Sequence, residues 1–386
     1  MEWKEVRLGD VCNIITGFPF PGKKYSKEGI RVVRGDNVTI GNLRWDTEKD
    51  KRWNEPFDKT EYYSLQANDI VIGMDGSRVG KNKARIKEED LPLLLAQRVA
   101  CVRHNELAEQ DYLYYNIFSK KFIDYVNSIH TGSAIPHISQ KQIEDYKILL
   151  PNLETQRRIA SILSSLDRKI ELNNKINADL EEMAQTIFKN WFVDFEPFKD
   201  GQFVDSELGM IPEGWKVVKL GDFFPVKTGK KDANTASVNG KYPFFSCSQN
   251  ALCTDSYSFD CDAILVAGNG DFNVKWYSGK FDAYQRTYVL IPYNKKLLAL
   301  LYYVVKRNLL TITSKARGSV IRFITKGNLT DFEFAIPRDL ENNEIVDVFK
   351  SINEKIFANN KENSRLSLLR DTLLPRLMSG ELEVPE

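Results

Sequence analysis

The chain has 386 residues, 42% hydrophobic content and a formal net charge of +1, a length that suits two domains of ordinary size rather than one. No apolar run approaches the roughly 18 residues of a membrane span, and the charged start "MEWKEVRLGD" is unlike a secretory signal. Five cysteines without paired spacing suit a reducing, cytoplasmic setting, and the near-neutral charge lacks the basic bias usual for a nucleic-acid binder.

In chain order, "WKEVRLGD" (Trp3 to Asp10) opens a segment of short apolar runs such as "IRVVRGDNV", broken by glycine, asparagine and aspartate, which reads as strands and loops. The loop "TGFPFPGKKY" carries Lys23, Lys24 and Tyr25, and "GMDGSRVGKNKA" (Gly73 to Ala84) carries Asp75, Ser77, Arg78 and Lys81. Gln97-Arg98 and the loop "HTGSAIPHI", with Ser133 and His137, follow. From Glu154 to about Phe192 the apolar positions Ile159, Leu163, Leu166, Ile170, Leu180 and Ile187 keep the ~3.5-residue period of a coiled-coil helix. That helix ends in an aromatic group of Trp191, Phe192 and Phe195.

The chain then repeats itself. "WKVVKLGD" (Trp215 to Asp222) restates the opening, displaced by 212 residues, and "KTGKKDAN" brings a second lysine pair, Lys230 and Lys231. "DAILVAGNG" leads into "GNGDFNVKWYSGK" (Gly268 to Lys280), with Asn269, Asn273, Lys275 and Tyr277. Gln285-Arg286 repeats Gln97-Arg98, and "ARGSVIRFI", with Ser319 and Arg322, repeats the third loop at an offset of 186. The same offset carries the first helical seam onto Ile345, Phe349, Ile352, Ile356, Leu366 and Leu373 in a second helix, Asn342 to about Met378. Two matched helices with one seam are best explained by packing on each other. Asn173, Asn177, Asn359 and Asn363 interrupt the seam at one height, where a buried amide would fix register; a solvated midpoint is the competing reading.

The expected architecture is therefore α/β (α+β): two globular mixed domains separated by two long helices packed as an antiparallel coiled coil, with a pseudo-two-fold internal repeat. The boundaries read as 1–152, a first recognition domain; 153–195, a helical region; 196–340, a second recognition domain; and 341–386, a second helical region with its tail.

The segments "WKEVRLGD", "IPEGWKVVKLGD", "IFKNWFVDFEPF" and "LRDTLLPRLMSGEL" resemble the repeated segments of the specificity subunit of type I restriction–modification enzymes, over essentially the whole chain and in the family's order. The resemblance implies two target-recognition domains, each reading half of a bipartite site in double-stranded DNA, and a helix pair that sets the spacing. It also implies two methyltransferase subunits docked along the helices and, where present, restriction subunits. S-adenosylmethionine, ATP and magnesium are expected on those partners, with no cofactor in this chain.

The residues themselves allow such contacts. The lysine pairs suit phosphate; Arg78 and Lys81 could reach guanine O6/N7, and Asn269 or Asn273 adenine N6/N7. Ser133, Ser319 and the neighbouring backbone suit phosphate oxygens. Arg98 and Arg286, present in both halves, are expected to hold scaffold or phosphate rather than choose bases. Trp191, Phe192, Phe195, Leu374 and Leu377 either close the domains' own cores or meet a partner.

No catalytic site is expected. "DGSRVGKN" misses the phosphate-binding loop, with Asp75 where glycine is required and Asn82 where serine or threonine would hold magnesium. Cys247, Cys253 and Cys261 lack a fourth zinc ligand nearby. The alternative from another class is a coiled-coil scaffold whose domains bind proteins rather than DNA.

Overall fold

The repeated octapeptide is a fastener. In the computed structural model, which describes residues 3–129, 136–237 and 240–384, Lys4–Arg7 pairs antiparallel with Lys147–Leu150, and Trp215–Lys219 with Glu333–Pro337. Each "LGD" then turns inward. Leu8 and Leu220 are fully buried, and their N–H groups donate to the Tyr146 and Phe332 carbonyls at 2.7 and 2.8 Å. The carboxylates of Asp10 and Asp222 accept the backbone N–H of Arg7 (3.2 Å) and Lys219 (2.9 Å), satisfying donors that the turn leaves open. The central glycine permits the packing: a Cβ on Gly9 would lie 2.8 Å from Glu144 Cβ, and one on Gly221 3.0 Å from Thr330 Cβ.

The chain folds as two units, residues 1–171 with 363–386, and residues 172–362. In the first, Cys12–Thr16, Val99–His104, Ile70–Gly73, Lys83–Arg85 and Ile40–Gly41 form a five-stranded sheet in that order, beside a three-stranded sheet of Arg52–Trp53, Ile30–Val33 and Leu93–Leu95. The second repeats the scheme with one change. Val274–Ala283 runs as a single ten-residue strand, pairing antiparallel with Phe259–Ala267 and parallel with Tyr242–Phe245. It does the work of Lys83–Arg85 and Leu93–Leu95 together, so one six-stranded sheet replaces two.

The apolar runs seen in the sequence are central strands covered on both faces. Ile70 and Ile72 enter one core cluster and Val71 another; Ile264 and Val266 likewise face away from Ala263 and Leu265. This is the two-residue alternation of a pleated strand with apolar layers on either side.

The two long helices are Leu153–Phe192 and Glu344–Met378. In the first unit, Ile159 and Leu163 pack with Leu377, Tyr112 and Tyr115, and Arg370 Nη1 meets Asp167 Oδ1 at 2.7 Å. In the second, Ala184 and Phe188 pack with Ile345, Phe349 and Ile352. In both units residue numbers fall on one helix as they rise on the other, so the pairing is antiparallel.

The asparagines of the seam are engaged rather than solvated. Asn173 and Asn359 are 1% and 2% exposed. Asn173 Nδ2 donates to Glu362 Oε2 (2.8 Å), Asn359 Nδ2 to Asn177 Oδ1 (2.8 Å), and Asn177 Nδ2 to Asn360 Oδ1 (3.0 Å). Asn363 is half-buried on the second helix.

One buried cation sits beneath the loop that follows Gly73. Lys83 Nζ donates to the Gly80 carbonyl at 2.9 Å and lies 5.4 and 5.0 Å from the ring centroids of Phe118 and Phe122. The ring faces favour the charged amine, but burial outweighs them and pushes its pKa down to about 7. The unfolded chain, at the ordinary 10.5, then holds the extra proton above pH 7, so stability rises with pH by up to about 1.4 kcal/mol per unit. Between about pH 7 and 8.5, below the ordinary thiol range of 9.0, the thermal midpoint is expected to climb by a few degrees. Lys83→Met should flatten that slope; an equal slope in both proteins would refute the assignment.

Candidate nucleic-acid interface

Three loops meet at the end of each sheet, stitched by the same backbone hydrogen bonds. In the first unit the Met74 N–H donates to Arg98 O (2.9 Å), Gly76 N–H to Pro136 O (3.0 Å) and Ile138 N–H to Met74 O (3.0 Å). In the second, Gly268 N–H donates to Arg286 O (2.8 Å), Gly270 N–H to Arg322 O (3.0 Å) and Ile324 N–H to Gly268 O (2.9 Å). These bonds pair positions that diverged loops obscure. Asp75 corresponds to Asn269, His137 to Phe323, and Arg98 to Arg286.

The side chains at these places differ in chemistry. Asp75, largely buried, bridges two cations or donors: its Oδ2 lies 2.9 Å from Arg98 Nη1, and its Oδ1 meets His137 Nδ1. Arg98 is 69% exposed at its side chain and takes a left-handed backbone, φ +66°, which a residue with a Cβ adopts only under local constraint. An asparagine at 269 and a phenylalanine at 323 cannot form that ion pair. One unit presents an arginine held by a carboxylate; the other has an asparagine and a phenylalanine at the matching backbone positions.

The first unit's loops enclose a cleft of about 700 Å³. Tyr25, Asp75, Ser77, Arg78 and Arg98 line it, as do Arg34, Asp36 and Arg44, which sequence reasoning passed over. Arg34 lies over the Tyr25 ring, 5.6 Å from its centroid, and burial raises the Tyr25 pKa while Arg34 opposes the shift. The organising residue is Asn37, wholly buried. Its Nδ2 donates to the Arg44 and Lys49 carbonyls, each 3.0 Å, and its Oδ1 accepts the Arg34 N–H, also 3.0 Å. The available signal was "RGDN", a turn flanked by arginines at 34 and 44. The second unit's cleft is smaller, about 250 Å³, and includes Gly268, Gln285, Arg286 and Tyr288.

Other expected residues fall elsewhere. The two lysine pairs are not counterparts: Lys231 receives the Gln285 N–H as Phe18 receives that of Gln97, both at 2.9 Å. Lys23 and Lys24 lie further on in an exposed turn, with Lys24 Nζ 2.7 Å from Glu55. Lys81 and Lys230 are exposed. Asn273 is buried and its amide holds the loop, donating to the carbonyls of Cys247 (2.9 Å) and Asp271 (2.7 Å). Lys275 Nζ donates to Ser248 O (2.7 Å) and also meets Asn273 Oδ1. Tyr277 turns inward against Phe245 and Phe281, centroids 5.1 and 5.6 Å away. Lys275 and Tyr277 face the second unit's own structure because the long strand Val274–Ala283 carries them into the sheet. Ser319 and Arg322 are exposed, with Arg322 Nη2 donating to Thr313 O (3.0 Å). Ser133 lies outside the described residues.

Of the two readings of the aromatic group, the structure shows packing in a local core. Phe192, Phe195 and Phe198 surround Trp215 with centroids 5.6, 5.2 and 5.2 Å away, and Trp191 abuts Phe198. Leu377 is 3% exposed, and Leu374 lies against the separate cluster that Leu377 forms with Tyr112, Ile159 and Leu163. Among the described residues, no three His, Cys, Asp or Glu side chains are grouped to hold a metal, and no helix is long and apolar enough to cross a membrane.

The fold and its stitched loops define a duplicated, loop-presenting α/β protein. Residues 1–182 and 212–368 match the type I restriction modification DNA specificity domain, and the chain belongs to that family. It is 39% identical over 178 residues to the type I restriction enzyme EcoDI specificity subunit of Escherichia coli, covering 45% of this chain and 40% of that one. It is 30% identical over 305 residues to the MjaIX specificity subunit of Methanocaldococcus jannaschii, covering 72% and 70%. The chain thus spans less than half of the first relative's length and somewhat over two thirds of the second's. Its fold is similar to the crystal structure of a type I restriction–modification S subunit from M. genitalium, with a TM-score of 0.60 at 15% identity over 98% of this chain and 96% of that one.

Proposed function

We propose that this chain is the non-catalytic, sequence-reading subunit of a type I restriction–modification complex. Its recognition domains, residues 1–152 and 196–340, each read one half of a bipartite site in double-stranded DNA. The observation that carries this reading is the pair of identically stitched loop sets in which a shared arginine, Arg98 or Arg286, has different side chains at the matching neighbouring places, Asp75 and His137 against Asn269 and Phe323. A shared mount with exchanged tips is what reading two different short sequences requires.

The long helices set the distance between half-sites. At ~1.5 Å per residue, helices of 40 and 35 residues reach on the order of 50–60 Å, beyond one ~34–36 Å turn of DNA, and the buried Asn173 and Asn359, with the half-buried Asn177, hold their register. Two methyltransferase subunits dock on exposed faces of the helices, where Leu172, Phe357 and Leu368 are 52%, 49% and 71% exposed. Those partners bind S-adenosylmethionine and methylate adenine; restriction subunits add ATP- and magnesium-dependent cleavage. The complex works in the cytoplasm, where its DNA is.

Methylome sequencing of cells carrying this chain with its methyltransferase, against cells lacking the chain, tests the reading. A new motif of two short half-sites around a fixed gap is the expected result, and exchanging residues 1–152 for another reader should alter one half-site only. Unchanged methylation with an active partner would instead favour the protein-binding scaffold.

A further inference from the structure

Among the described residues, the loop Gly318–Arg322 carries the most exposed pair of adjacent large apolar side chains, Val320 at 93% and Ile321 at 59%. This is not a loose tip. Arg317 and Phe323 close it with reciprocal backbone hydrogen bonds of 2.8 Å each, and Gly318, at φ +98°, makes a turn in which a Cβ would collide with the Ile321 carbonyl oxygen. The Arg322 carbonyl accepts the Gly270 N–H at 3.0 Å. The base of the apolar tip is therefore hydrogen-bonded to the loop bearing Asn269.

The charge along this segment of chain is one-sided. From Ser314 to Lys326 the sequence "SKARGSVIRFITK" holds Lys315, Arg317, Arg322 and Lys326 and no acidic residue. Four cations suit a phosphate backbone, and two branched hydrocarbon side chains among them need an apolar target on the same ligand. In the major groove the only such group is the C5 methyl of thymine.

We infer that Val320, seconded by Ile321, is a specificity-determining residue of the second recognition domain that reads a thymine through its C5 methyl group. This rests on the DNA-reading function proposed above and names the base contact that side chains with no hydrogen-bonding group can make. The corresponding tip of the first unit lies outside the described residues.

The test uses the chain in complex with its methyltransferase and duplexes carrying the methylated motif. Each thymine of the half-site assigned to the second domain is replaced in turn by uracil, which removes only the methyl. Wild type should bind about four-fold more weakly at one position, as expected for one buried methyl. Val320→Ser should bind thymine DNA about four-fold more weakly than wild type and be indifferent to uracil at that position, with an unchanged thermal midpoint. Indifference of wild type to uracil at every position, or a half-site without an A·T pair, would overturn the inference. So would a Val320→Ser loss that is equal on thymine and uracil DNA. Absence of any site-specific binding by wild type would instead bring down the underlying DNA-reading function.

Discussion

Alanine at position 17 is expected to lower the stability of the first unit by on the order of 3 kcal/mol, among the larger effects of a single substitution. Gly17 follows the strand Cys12–Thr16 where the backbone doubles against Leu95 and Ala96. Its N–H donates to Val99 O (3.1 Å), the Phe18 N–H to Leu95 O (3.0 Å), and the Gln97 N–H returns to Phe18 O (2.9 Å). A Cβ there would collide with the carbonyl oxygens of Ala96 and Leu95, which are backbone and cannot swing aside. Gly229 stands in the same relation to Ala283 and Tyr284, which is why "TG" occurs in both halves. For a unit of this size the loss corresponds to roughly 6–12 °C in thermal midpoint, read by scanning calorimetry. Because Gln97 leads directly into Arg98, the first half-site should weaken while the second is still read. Gly22→Ala is the control, since nothing lies within 4 Å of the added carbon and a change under about 0.5 kcal/mol is expected. Equal midpoints for Gly17→Ala and Gly22→Ala would show that the backbone crossing does not constrain the fold.

Arg98→Ala is expected to weaken binding of the cognate duplex by about 10- to 100-fold, corresponding to about 1–3 kcal/mol for one well-placed arginine. The guanidinium is exposed, faces the 700 Å³ cleft and is held by Asp75, so on the function proposed above it would meet DNA with its orientation already set. Two further readings separate its possible roles. A base contact relaxes the motif at one position of the first half-site. A phosphate contact leaves the motif unchanged and lowers the slope of log affinity against log salt by about one. Asp75→Asn should produce a weaker form of the same effect, because the arginine remains but loses its anchor. Arg286→Ala should act on the other half-site alone. Wild-type affinity of Arg98→Ala for the cognate duplex would remove this cleft from the interface.

Much of the scaffold was legible because its signals are local. The "LGD" turns depend on a carboxylate reaching a backbone N–H three residues back, and the helical seams depend on contacts three and four residues apart. The Asn173, Asn177 and Asn359 layer showed as polar residues in an otherwise apolar stripe. The proposed recognition surface was less legible. Its principal contact joins Asp75 to His137 across 62 residues, and no short window contains both. Alignment of the two halves slipped in the diverged loops, so Lys23 and Lys24 were matched to Lys230 and Lys231 although Lys231 occupies the place of Phe18. Asn273 has the side chain of a base reader, yet burial beside the Cys247 and Asp271 carbonyls gives its amide a structural role.

By itself, then, the sequence determined that there are two similar modules, where their strands and long helices lie, and that each module ends in diverged glycine-rich loops. Periodicity and repetition are enough for that, because secondary structure and internal duplication follow from neighbours along the chain. Which loop residues face outward was decided only by the tertiary structure. One continuous strand, Val274–Ala283, draws Lys275 and Tyr277 into the second sheet, whereas in the first unit a break between Arg85 and Leu93 leaves two sheets and a larger cleft. Long-range backbone pairing fixes the direction of each side chain, and a shift of one residue in that pairing exchanges the inner face for the outer.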